Sequence, residues 1–307
     1  MKNSFKSNLV LLMTAVIWGG GLVAQKAGAV LQPFTYNGIR MFIGGLALIP
    51  VIYLLKVAGK DKSAGSSREV KRDEKEDKKN LLIGGICCGC FLCLATSLQQ
   101  FGFYFETSAG KTGFITSLYI VIVPLLGLFL GKHVRTLIWV SILLGAFGFY
   151  LLTMAGKREG FRLSTGELYI LLCVVAFSVH ILAVDCFSPK CDGIRLSCVQ
   201  FLTSGVIGIA CMLIFETPVL SDILDCWLPI LYCGVISTGV GYTGQVLGQK
   251  DTEPAVASLI LSLEAVFSVI FGVLILKEHL TIIEGIGCAV IFAAVVIAQI
   301  PSQNKSI

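Results

Sequence analysis

Apolar residues fill this chain in ten continuous runs, with polar segments between them. The runs cover residues 9–26, 34–57, 81–104, 109–130, 137–155, 166–186, 193–215, 226–248, 254–276 and 282–300. An α-helix rises about 1.5 Å per residue, so about 20 apolar residues cross a hydrocarbon core of about 30 Å. Each run therefore predicts one membrane-spanning helix. Because the runs are continuously apolar rather than alternating, a closed β-barrel is excluded and helices must satisfy the backbone. The predicted fold class is an all-α polytopic membrane protein.

The runs repeat. Residues 107–136, TSAGKTGFITSLYIVIVPLLGLFLGKHVRT, align without a gap to residues 252–281, TEPAVASLILSLEAVFSVIFGVLILKEHLT, 145 positions later. Both begin on Thr, carry small residues into an apolar run, and close on Lys132-His133 or Lys277-Glu278. Earlier in the chain LLMTAVIW (11–18) lies over LLCVVAFS (171–178), 160 positions apart, so that Arg40 falls on Gln200. The fall from 160 to 145 places about 15 extra residues in the first copy, and the charged run 56–79 is the obvious location. The chain reads as a tandem duplication, residues 1–155 and 164–301. Five helices per copy is an odd number, so the second copy enters the membrane upside down, as two inverted five-helix repeats.

Composition agrees with this picture: 55% of the residues are hydrophobic and only 14% charged. Orientation follows from Lys and Arg near the span ends. With the N-terminus inside, the inner segments hold seventeen of these residues and the outer ones four, three of those in the KREGFR loop (157–162). Both termini are thus expected in the cytoplasm, and the first span, though preceded by Lys2 and Lys6, is expected to be an uncleaved helix. The segment 56–80 is too polar to build a core and reads as a solvated cytoplasmic linker. The other connections leave no room for a soluble catalytic domain. The twelve cysteines mostly lie within runs, where Cys acts as a small apolar residue. Cys87, Cys88, Cys90 and Cys93 lack a His or carboxylate partner, so no metal ligand is assigned. Gly85 with Gly89 and Gly244 with Gly248 are small-residue pairs that allow close helix packing, inside the chain or at a dimer seam.

Polar groups within a bilayer are costly and mark candidate sites. Glu264 lies about ten residues, or roughly 15 Å, into the ninth helix, close to the midplane. Tyr119 occupies the corresponding position from the opposite side, and the two could face each other across the repeat axis. A carboxyl group there is a candidate proton carrier; the structural alternative is a protonated side chain capping a neighbouring backbone. Lys26, Arg40 and Lys111 gather in the predicted outer half, while their repeat counterparts Cys186, Gln200 and Val256 are neutral. They suggest an electropositive outer vestibule suited to a carboxylate or another anionic group; the competing account for Lys26 and Lys111 is snorkelling to the interface, and the deeper Arg40 is expected in the pathway or in a structural pair with Glu106 or Glu264. Trp18 lies in mid-span, away from the usual interfacial belt. Trp18, Tyr36, Arg40, Gln100, Tyr119, Gln200, Tyr242, Gln245 and Glu264 are the expected pathway residues. Gln99, Tyr104, His180, Tyr232 and Gln249 extend that lining, and Pro124 interrupts the fourth helix. AGKTG (109–113) is not a phosphate loop: position 105 is Phe, no strand precedes it, and it opens a membrane helix. HExxH, GxSxG and Cys/His ligand patterns are missing, so no catalytic residue or cofactor is assigned.

Trp18-Gly19-Gly20 followed by Lys26, the intramembrane Arg40, TSAGKTGFITSLYIVIVPLLG in the fourth helix and SLEAVFSVIFGVLILKE in the ninth together resemble the EamA family of the drug/metabolite transporter superfamily. The resemblance covers nearly the whole chain, as two copies of the family's five-helix unit. Ala265 stands where the family often has Pro. Lys132-His133 stands where a Glu commonly ends the fourth helix, although Glu278 is present in the ninth. The resemblance implies ten helices, cytoplasmic termini and a central pathway for small metabolites, often amino acids, usually moving outward. The expected function is a secondary transporter of the inner or plasma membrane working by alternating access. Its expected partners are a small-molecule substrate and the lipid bilayer, not nucleic acid, with a homodimer left open. The alternative is a membrane sensor or accessory subunit acting through the 56–80 loop.

Overall fold

A computed structural model describes residues 2–58, 74–131, 134–153, 164–276, 281–298 and 300. It contains α1 (Lys2–Ala27), α2 (Pro33–Val57), α3 (Glu74–Tyr104), α4 (Ala109–Ser117), α5 (Tyr119–Phe129), α6 (Thr136–Thr153) and α7 (Thr165–Phe187). These are followed by α8 (Gly193–Phe215), α9 (Leu220–Asp225), α10 (Trp227–Leu231), a π-helical segment (Tyr232–Tyr242), α11 (Thr243–Gln249), α12 (Pro254–Leu261), α13 (Glu264–Leu276) and α14 (Ile282–Ala298). Among the described residues eight helices are long and apolar enough to cross a membrane; the apolar helices Thr136–Gly148 and Gly285–Ala298 are shorter. These two shorter helices stand at the fifth and tenth of the expected positions. Most of the charged linker, the KREGFR loop and the exits Lys132-His133 and Lys277-Glu278 lie outside the described residues.

Large apolar side chains cover much of the outer surface, among them Phe129, 88% exposed, and Ile282, 84% exposed. Such a surface suits acyl chains, and together with the eight apolar helices it identifies a multi-pass membrane protein. Packing between helices therefore depends on close fit rather than on exclusion of water. The most extensive contacts join α2 to α8, α3 to α7 and α6 to α14, with α1 held against α13 and the π-helical segment.

The α2–α8 crossing shows how little space is left. A Cβ on Gly38 would lie 2.7 Å from the Ile209 nitrogen, and one on Gly208 would lie 2.7 Å from the Gly38 Cα. A Cβ on Gly205 would meet the Phe42 backbone at 2.7 Å, while one on Gly45 would meet Leu202. Gly45 and Gly205, like Phe42 and Leu202, are 160 positions apart, so the two contacts exchange under the repeat offset. The small-residue pairs noted above are also filled from within the chain: Gly85 and Gly89 by Val199 and Thr203, Gly244 and Gly248 by Thr14 and Leu11.

Glu216, just beyond α8, caps the start of α2. Its carboxylate accepts from the Phe34 and Thr35 nitrogens at 2.8 and 2.6 Å and from Thr35 Oγ1 at 2.7 Å. It thereby satisfies N–H groups that the helix leaves open and meets the positive end of the helix dipole. Thr217 N donates in return to Gln32 Oε1 at 3.1 Å. Glu216→Ala is expected to destabilise the protein by about 1–2 kcal/mol, read as a lower thermal midpoint in detergent, with Glu216→Gln recovering part of the loss.

Candidate functional site: a central cavity at two helix breaks

Two spans predicted as continuous helices are broken, at corresponding positions. The first breaks at Leu118, between α4 and α5, and the second at Ser262-Leu263, between α12 and α13. Pro124 lies inside α5 and does not make the break. Ser117 Oγ donates to Gly113 O at 2.7 Å and also lies 3.3 Å from Ser262 O, while Ser262 Oγ donates to Leu259 O at 2.7 Å. At the second break Leu263 N turns to Ile260 O at 3.2 Å, and the Leu259 carbonyl is met by the Ser262 hydroxyl. Ser117 and Ser262 are 145 positions apart, and so are Tyr119 and Glu264. The Tyr119 hydroxyl donates to Glu264 Oε1 at 3.4 Å.

A small cavity adjoins the breaks. It is lined by Trp18, Leu22, Gln25, Gln99, Thr116, Tyr119, Phe177, Ile181, Ser237, Tyr242, Gln245 and Glu264. Of the nine residues expected from sequence, the structure brings Trp18, Tyr119, Tyr242, Gln245 and Glu264 together here. The Trp18 and Tyr242 rings are 4.5 Å apart, and Trp18 Nε1 donates to Ser237 O at 3.2 Å. That carbonyl belongs to the π-helical segment, whose looser winding leaves its backbone groups available to side chains. Thr14 Oγ1 similarly reaches Gly241 O at 3.2 Å.

Gln100 sits beside this wall, donating through Nε2 to Gln25 O at 3.3 Å. Tyr36, Arg40 and Gln200 lie outside the lining. Tyr36 donates its hydroxyl to Ala24 O and Pro229 O at 3.4 and 3.2 Å, and the Arg40 guanidinium stands 5.7 Å from its ring centre. Arg40 is only 1% exposed. Its Nε donates to Asn37 Oδ1 at 3.1 Å, and Asn37 in turn donates to Ser97 Oγ at 3.0 Å. Among the described residues Arg40 forms an ion pair with neither Glu106 nor Glu264, which corrects that expectation: its neighbours on α2 and α3 are neutral amide and hydroxyl groups. Gln200 Oε1 shares a hydrogen bond of 3.1 Å with His180 Nε2, and the His180 ring meets Tyr242 edge-on at 6.2 Å. Tyr104 is 43% exposed and faces away from the cavity.

Lys26, Arg40 and Lys111 do not gather in the lining. Lys111 Nζ pairs with Glu167 Oε1 at 3.0 Å, joining α4 to the first turn of α7. Glu167 also completes the capping box of α7, accepting from Ser164 N at 2.8 Å while Ser164 Oγ accepts from Glu167 N. The Lys111 side chain is 42% exposed, so Lys111→Ala should cost less than about 1 kcal/mol in a thermal-unfolding measurement. Sequence reasoning missed Gln25, Thr116 and Ser237. The available signal for Gln25 was an amide one residue before a span-ending Lys, but Thr116 and Ser237 are ordinary in apolar helices.

The sequence profile of the EamA-like transporter family matches residues 5–154 and 164–299. An uncharacterized transporter from Archaeoglobus fulgidus is 28% identical over 296 residues, covering 96% of this chain and 86% of that protein. The uncharacterized transporter YoaV from Bacillus subtilis is 24% identical, covering 90% of this chain and 91% of that one. A WAT1-related chloroplastic protein of Arabidopsis thaliana is 24% identical, covering 99% and 72%. One solved crystal structure superposes with a TM-score of 0.72 at 19% identity and covers 96% of both chains. That likeness establishes the fold.

Proposed function

The chain belongs to the EamA-like transporter family, and from that premise we propose that it is a secondary transporter moving a small metabolite through the central cavity by alternating access. The direction proposed is export across the cytoplasmic membrane, with both termini inside and ten spans, the fifth and tenth formed by α6 and α14. The observation that carries this reading is the pair of helix breaks beside the cavity. Ser117 touches Ser262 and Tyr119 touches Glu264, each across the 145-residue offset. Equivalent positions of two copies meet in this way near a two-fold axis, which supports inverted repeats. Broken helices at such an axis are where secondary transporters bind cargo, because the freed backbone and nearby polar groups can face a cavity instead of lipid.

Glu264 is the carboxyl group of the lining, and in this mechanism it exchanges a proton during the cycle. A second, larger cavity lies between α5 and the start of α12, beside Pro124 and Glu253. In the proposed orientation it opens at the cytoplasmic end of α12 and forms the inner approach. The test is counterflow in proteoliposomes loaded with amino acids and small organic acids, sampled by mass spectrometry with and without a pH gradient. Exchange of one solute class that responds to the gradient is expected. Folded protein that exchanges nothing, for any solute and gradient, overturns the transporter reading.

A further inference from the structure

We infer that the two faces of the protein are closed by latches at equivalent helix ends of the two copies, a Lys111–Glu167 ion pair on the outer face and hydrogen bonds from neutral donors on the inner one. This rests on the transporter reading for the words outer and inner, although opening itself is measurable without transport. Both contacts are made in the structure. Between them the central cavity measures about 20 Å³, room for one water molecule. A larger solute enters only when one end parts.

The 160- and 145-residue offsets set α7 over α1 and α4 over α12. In the structure α4 packs on α7, and α12 packs on α1. At the outer end Lys111 Nζ stands 3.0 Å from Glu167 Oε1. Beside it Thr107 lies against Gly166, where a Cβ would collide with Thr107 Oγ1. At the inner end Ser7 Oγ donates to Asp251 Oδ2 at 3.3 Å, and Thr252 Oγ1 donates to Asn8 Oδ1 at 3.1 Å. Ser7 is the counterpart of Glu167, and Thr252 of Thr107. The same helix ends thus meet at both faces. Because α1, α4 and α7 also carry the cavity residues Trp18, Thr116 and Phe177, parting either contact opens a way inward.

The two closures differ in chemistry. The outer one joins two charges, with the Glu167 side chain 10% exposed and that of Lys111 42% exposed. Their counterparts, Ser7 and Val256, are neutral, so the inner contact sets a single carboxylate, Asp251, among neutral groups. The Arg135–Glu253 pair, at 3.8 Å, ties the start of α12 to the segment before α6 and does not bridge the seam with α1. Removing either outer charge therefore loosens the outer face alone. A partly exposed ion pair is weak, of the size that shifts a population severalfold rather than locking it.

The test measures opening from each side with a membrane-impermeant methanethiosulfonate reagent. The full chain, with its twelve native cysteines replaced and Ser237→Cys as the reporter in the cavity wall, is labelled in intact cells from outside and in inverted vesicles from inside. Lys111→Met and Glu167→Gln are each expected to speed labelling from outside by about two- to fivefold and not from inside. Gln at 167 keeps the capping box of α7. Ser7→Ala combined with Asn8→Ala is expected to speed labelling from inside only. Hydrogen exchange on the chain with its native cysteines is the second readout: Lys111→Met speeds exchange around residues 105–117 and 164–172 and leaves 5–12 and 250–261 unchanged. Unchanged labelling in both outer variants, or equal acceleration from both sides, overturns the inference, and so does exchange that rises equally at both ends. Side-specific labelling without counterflow of any solute would keep the latches and remove the transporter reading. Counterflow without side-specific labelling would do the reverse.

Discussion

Glu264→Gln is expected to lower counterflow by about tenfold or more while leaving the protein inserted and monodisperse. Gln matches Glu in shape, so the packing around a residue that is 4% exposed is kept. The Tyr119 hydroxyl, now 3.4 Å from Glu264 Oε1, can donate to the amide oxygen instead. What disappears is the charge and the exchangeable proton in the cavity wall. Tyr119→Phe removes only one long hydrogen bond and is expected to have a smaller effect. Flux in proteoliposomes, normalised to folded protein, separates the two. Wild-type flux in Glu264→Gln would remove this carboxyl group from the mechanism.

Gly38→Val should cost about 3 kcal/mol or more, enough to lower the yield of folded protein sharply. The new Cβ would stand 2.7 Å from the Ile209 nitrogen and 2.8 Å from the Gly208 carbonyl carbon. Both are backbone atoms, so no side-chain rotation relieves the clash. Helices α2 and α8 must separate, and the contacts along their length are lost. Gly110→Ala is the control, because nothing lies within 4 Å of a Cβ there, and it should stay within about 1 kcal/mol of wild type. Thermal midpoints and size-exclusion profiles of the two variants provide the comparison. Equal stability would mean that the α2–α8 crossing is looser than described.

The helices and the duplication were legible because both are written in long patterns: apolar runs and a gapless echo over 30 positions. The Tyr119–Glu264 contact was legible for the same reason, since the echo sets the two residues over one another. The orientation of each helix about its own axis was not. Lipid is as apolar as the protein interior, so an outward Leu274 and an inward Leu259 look alike in sequence. For that reason Tyr36, Arg40 and Gln200 resembled Trp18 and Tyr242 as candidates, although the structure sets them behind the wall. The breaks at Leu118 and Leu263 were hidden because Leu is a strong helix former, while the visible interruption, Pro124, bends nothing open. The π-helical segment leaves only a weak trace in Gly234, Gly239 and Gly241, which equally suit close packing.

The most direct test of the central claim, that solute crosses between the two helix breaks as they move relative to one another, is counterflow through a chain cross-linked at those breaks. Ser117→Cys with Ser262→Cys would be placed in a background in which the twelve native cysteines are replaced. Oxidation, or a short bifunctional thiol reagent, then ties α4 to α12. The account predicts that flux stops when the pair is tied, returns on reduction of the disulfide, and is unaffected in either single-cysteine chain. Undiminished flux through the tied protein would contradict it.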